Sequence, residues 1–277
     1  MKNLLFISIV ATVLAAAYAA EDASPRLTGG TNTVPGQFPS AVSIDSPHNL
    51  HCGGTILNRQ HVLTAAWCVM HPTTFTLINP FWLRVTAGDV NLVTSTIRRE
   101  VRNVTHLFVH PNYNRLTNNH DLAVIRVNTL FPEFHNTIEP AVINTRLLSD
   151  GTACLFAGWG SATDGAAATL NPVQRVITVP ILPTGTCNGA TVHANRVLST
   201  MFCAGSIAAT PNTVCQGNIG GGVFCNDQLA GVLTFGTACG AANQPGVYID
   251  IRQYQTWIQN QFTRTDNPAP GWVPNPL

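Results

Sequence analysis

From Gln37 onward the apolar positions fall into short runs, among them Ala41 to Ile44, Gly54 to Leu57, His61 to Ala65, Phe81 to Ala87 and Asp121 to Val127. A second series follows around Cys154 to Trp159, Gln174 to Ile181, Gly222 to Phe224, Leu229 to Phe235 and Gly246 to Ile249. Runs of this length, closed by Gly, Pro and Asn clusters, predict the strands of an all-β sandwich or barrel. One segment breaks the pattern. Ile251, Tyr254, Ile258 and Phe262 recur at helical spacing and predict a C-terminal helix docked by one face. Beyond it, Pro268, Pro270, Pro274 and Pro276 predict an extended, Pro-rich tail over 263–277.

The first residues add a location. Lys2, the apolar stretch Leu4 to Leu14 and the small-residue site Ala17-Tyr18-Ala19 predict a secretory signal over 1–19 and a secreted, extracellular chain. The apolar stretch is too short to span a bilayer, so no membrane anchor is expected. A short pro-segment over 20–26 ends at Arg26, and Leu27-Thr28-Gly29-Gly30 follows; this junction reads either as a processing site or as a loop. Composition narrows the partners. The chain is 45% hydrophobic and 10% charged with a formal net charge of +1, so nothing attracts nucleic acid or an anionic membrane. Eight cysteines in a secreted chain predict a disulfide framework, for which 105 pairings are open. They form no Cys-x-x-Cys pair and no close His/Cys cluster, so neither a metal nor any other cofactor is expected.

Candidate chemistry lies in three blocks: Cys52-Gly53-Gly54-Thr55 leading to Leu63-Thr64-Ala65-Ala66-Trp67-Cys68, then Asp121-Leu122-Ala123-Val124-Ile125, then Cys215-Gln216-Gly217-Asn218-Ile219-Gly220-Gly221. With Ala157-Gly158-Trp159-Gly160, Met201-Phe202-Cys203-Ala204-Gly205 and Pro245-Gly246-Val247-Tyr248, the chain resembles the chymotrypsin-like serine proteases over 27–262. The resemblance implies two packed antiparallel β-barrels with a cleft between them. It also implies the pairings Cys52 with Cys68, Cys154 with Cys225, Cys187 with Cys203, and Cys215 with Cys239.

Catalysis in that family uses a serine nucleophile, a histidine base and an orienting aspartate. The matching positions here are Ile219, Trp67 and Asp121. An indole N–H donates a hydrogen bond but takes up no proton at neutral pH, and an isoleucine has no atom that attacks a carbonyl. His61 lies about 20 Å upstream of Trp67 if the chain is extended. It, His71 and His120, the last placed beside Asp121 on a strand with its side chain pointing the other way, read as ordinary surface or loop histidines. The expectation is therefore a chain that is not an enzyme.

Further positions follow from the same resemblance. Gly217 and Ile219 match the oxyanion hole. Thr213, Gly236 and Gly246 match a neutral specificity pocket, with Phe235 and Thr234 in place of a usual tryptophan and serine. Arg26 and Leu27 match the activation cleavage, and neutral Asn218 the carboxylate that pairs with the freed amino group. Asn103-Val104-Thr105 is a glycosylation acceptor pattern. The expected role is protein binding, as cofactor or regulator of an extracellular proteolytic cascade, with a protease, a protease inhibitor or another cascade component as partner. A decoy that captures ligands in the old cleft is the alternative. An active peptidase relying on other residues ranks last.

Overall fold

The computed structural model describes residues 30–46, 51–133, 136–161, 170–210, 213–215, 217–236 and 238–266. The signal, the pro-segment, Arg26, Leu27 and the tail beyond 266 lie outside the described residues. Strand β1 (Thr31–Asn32) leads into β2 (Ala41–Asp45), β3 (His51–Ile56), β4 (His61–Thr64), β5 (Arg84–Ala87), β6 (Glu100–Val109) and β7 (Ala123–Val127). The second series is β8 (Ala153–Gly158), β9 (Arg175–Leu182), the single turn α1 (Thr184–Cys187), β10 (Met201–Ala204), β11 (Gly222–Cys225), β12 (Gln228–Phe235) and β13 (Gly246–Asp250).

All pairings between these strands are antiparallel. The order β2-β3-β4-β7-β6-β5 closes on itself as one barrel. The order β9-β10-β13-β12-β11-β8 closes through β8 and β9 as a second, with β1 laid along β9. Closure removes the free sheet edges that would otherwise invite pairing with other chains. Inside the first barrel Ile44, Val62, Val85, Leu107 and Ile125 are buried; inside the second, Phe156, Val179, Val223, Leu233 and Tyr248. All eight cysteines are paired, in the four combinations the resemblance implied. Each such bridge typically stabilises by roughly 2 to 4 kcal/mol, mainly by restricting the unfolded chain.

From β13 the chain passes through a 3-10 turn (Ile251–Tyr254) into α2 (Gln255–Gln261). Asp250 caps it, with Oδ1 accepting from the Arg252 amide at 3.2 Å. Ile251, Tyr254 and Ile258 are buried, as the helical spacing requires. The helix leaves the second barrel and docks on the first: Trp257 packs on His110 (ring centroids 4.9 Å) and Phe262 on His61 (5.0 Å).

Two sequence expectations need correction here. His61 is not a surface residue but buried in β4, because Phe262 covers it. His120 sits outside any strand, since β7 begins only at Ala123; its φ of 54° turns the ring onto His110 and within 2.8 Å of the Tyr254 hydroxyl.

Candidate functional site

The site lies on the seam between the barrels. After β4 the chain makes one 3-10 turn, Ala66–Val69, which the bridge from Cys68 to Cys52 of β3 ties down. Trp67 sits half-buried on this turn, and its amide donates to Asp121 Oδ1 at 2.9 Å. The other carboxylate oxygen, Oδ2, accepts from Thr234 Oγ1 on β12 at 2.6 Å, so one buried group links both barrels. Burial pushes the Asp121 pKa up to about 6, with the bonds from Thr234 and the Trp67 and Ala66 amides working against the rise.

Ile219 meets this corner from the second barrel. Its carbonyl accepts from the Gly53 amide at 2.8 Å and lies 3.5 Å from Cys68 Sγ, and its side chain packs on the same core cluster as Trp67. Thus the structure brings positions 67, 121 and 219 together. Gly220 must be glycine: φ is 82°, and a Cβ would stand 2.2 Å from Thr64 Oγ1. The amides of Gly217 and Ile219 donate to no partner among the described residues. A pair of unpaired amides at such a turn suits a carbonyl or carboxylate oxygen.

Behind them Asn218 is buried, and its Oδ1 accepts from the Gly160 amide at 2.9 Å. Its Nδ2 is buried with no partner among the described residues. Gly158 and Gly160 wrap it so closely that a Cβ on either would come within 2.4 Å of the Asn218 side chain. Toward the expected specificity pocket, Thr213 Oγ1 accepts from the Gly240 amide at 2.7 Å. Gly236 has φ 84° with Pro245 O only 2.2 Å from a would-be Cβ, and a Cβ on Gly246 would press on the Tyr248 hydroxyl at 2.8 Å. These glycines are dictated by packing of their own walls. Sequence reading missed what stands over Phe235: the His193 ring edge-on at 5.4 Å and the Arg196 guanidinium at 4.7 Å. Both come from the irregular stretch between Cys187 and Cys203, where no periodicity marks which side chain faces which wall. Asn103 is exposed on β6.

Comparison with known proteins decides the class. A family model described as trypsin matches residues 27–258. The chain belongs to the trypsin family. Serine protease 1 of Homo sapiens is 30% identical over 269 residues, covering 94% of this chain and 98% of that protein. Trypsin of Xenopus laevis is 29% identical over 255 residues (92% and 98%), and Trypsin Tyr p 3.0101 of Tyrophagus putrescentiae 31% over 239 residues (84% and 79%).

These relatives overturn the expectation of a chain that is not an enzyme, because they are named as proteases. The error has a physical origin. An absent imidazole at 67 and hydroxyl at 219 speak to one mechanism, whereas class was to be read from the whole scaffold: closed paired barrels, four bridges, and the buried Asp121 held by Thr234. The four disulfides and the trypsin-like relatives fit an extracellular protein. Among the described residues no helix is long and apolar enough to cross a membrane.

Proposed function

We propose that this trypsin-like serine protease domain is secreted and engages an extracellular polypeptide at its barrel seam, serving as cofactor or regulator of a proteolytic cascade. The observation that carries the reading is the pair of unpartnered amides at Gly217 and Ile219, beside a half-buried Trp67. Amide donors flanked by an aromatic surface suit a peptide main chain, which offers oxygens and apolar side chains in alternation. Asn103 carries the glycan in this reading, on the exposed side of β6.

The test is to titrate the purified, disulfide-intact chain into a reaction in which a trypsin-type protease cleaves its zymogen substrate. A saturable change in rate is expected, and it should be lost in Ile219→Pro, which deletes one of the two amides. A flat titration across a panel of such proteases and their protein inhibitors would overturn the reading.

A further inference from the structure

Next to Trp67 lies a shallow, open notch walled by Trp67, Met70, His71, Pro72, Phe75, Tyr113 and Arg115, in which the His71 Nδ1 already accepts from the Thr73 and Thr74 amides. The wall is built with effort. Phe75 has φ 54°, the left-handed region that a bulky residue enters only under constraint. The constraint is a closed loop: the Phe75 amide donates to the His71 carbonyl at 2.9 Å and the His71 amide to the Thr76 carbonyl at 2.8 Å. This strained turn sets the Phe75 ring beneath the exposed Arg115 guanidinium, 4.2 Å from its centroid.

The polar groups of the notch are one-sided. Among the described residues the Trp67 indole N–H, the Tyr113 hydroxyl and the Arg115 guanidinium have no hydrogen-bond or carboxylate partner. Burial, with the nearby Asp121 charge, raises the Tyr113 pKa well above the ordinary phenol range, so it stays a donor. Asp121 does not line the notch, and its two oxygens are taken by the Trp67 amide and Thr234. Three donors between aromatic faces lack one thing, an acceptor with a negative charge and an apolar stem.

From this we infer that the notch receives an aspartate or glutamate side chain on a loop of the bound polypeptide, its carboxylate on Arg115 and its stem against Trp67 and Phe75. The inference rests on the polypeptide-binding reading above and names the chemistry of that partner. It is tested by selecting a phage-displayed library of disulfide-constrained heptapeptides on the intact chain. Selected sequences are then measured as terminally blocked synthetic peptides.

Enrichment of an acidic residue is expected, with at least tenfold weaker binding for Arg115→Gln and for the peptide bearing the matching amide. Phe75→Gly should raise the thermal midpoint, because glycine is at ease at that φ, while weakening the same peptide. Enrichment without an acidic residue overturns the notch assignment and leaves polypeptide binding standing. So does binding unaffected by Arg115→Gln or by Phe75→Gly. Failure of every sequence to enrich overturns both.

Discussion

Asn218 holds a buried amide nitrogen with no partner among the described residues, a group whose burial unpaired costs about 1 to 3 kcal/mol. Its neutral side chain also sets what a cleavage after Arg26 would do. A freed Leu27 ammonium inserted there would meet an amide oxygen rather than a carboxylate, and that oxygen already accepts from Gly160. Chemical denaturation of cut and uncut chain should therefore give stabilities within about 1 kcal/mol of each other. Strong stabilisation on cutting would refute this. For Asn218→Asp the order changes: the uncut variant should lose about 2 kcal/mol from an unpaired buried charge, and cutting should recover it.

Positions 67 and 219 permit a second test. The Trp67→His, Asn218→Asp, Ile219→Ser variant should gain a peptide-cleaving activity that a serine-acylating inhibitor abolishes, since an imidazole at 67 and a hydroxyl at 219 are the base and nucleophile of that mechanism. No gain would mean that Asp121 and the 217–219 amides are not aligned for that reaction. Trp67, Asn218 and Ile219 were legible in the sequence because they fall inside motifs marked by cysteines and glycines, and Asp121 because it opens the apolar run of β7. Phe75, Arg115, His193 and Arg196 were not. They sit in irregular loops, where a side chain's neighbours are set by turns whose φ values no pattern announces.

At the scale of elements, the C-terminal helix rests on a seat of histidines. His110 meets Tyr254 and Trp257, His120 bonds Tyr254, His61 lies under Phe262, and His106 Nε2 is 3.1 Å from the Thr265 carbonyl. The helix itself was readable from its spacing, but its seat was not: strand alternation says which face of β4 or β6 is buried, never what buries it. Burial lowers the pKa of His61 to about 4, helped by Arg126 and His106, and that of His110 to about 4, helped by His120.

The sign follows. Below about pH 6.5 the unfolded chain takes up protons that the folded seat refuses, so the seat destabilises progressively as pH falls toward about 4. The other charged groups nearby, Arg264 and Asp266, pair with each other. Hydrogen exchange corrected for intrinsic rates should show residues 251–262 opening at pH 4.5 far more than at pH 7.5. His61→Phe with His110→Phe should flatten the difference, and equal opening at both pH values would rule the seat out as its cause.

For the molecule as a whole, two opposing titrations meet. Asp121, raised to about 6, favours the folded state as pH falls from about 6 toward 3.8, while the histidines disfavour it over an overlapping window. Two groups displaced downward outweigh one displaced upward, and His120 and His193, also lowered by burial, add to the majority. Global stability should thus rise with pH between about 4 and 6.5, and Asp121→Asn should steepen that rise. A thermal midpoint that falls across the window would contradict the balance. The seam where Asp121 sits is also crossed by the Trp159 indole, donating to the Val90 carbonyl at 2.9 Å, and by the Gln174 amide, donating to the same carbonyl at 2.7 Å.

The C-terminal helix thus fastens the second barrel to the first. A cargo fused after Asp266 would hang from a buckle rather than from a loose end, and tension on it would be felt first where the barrels meet.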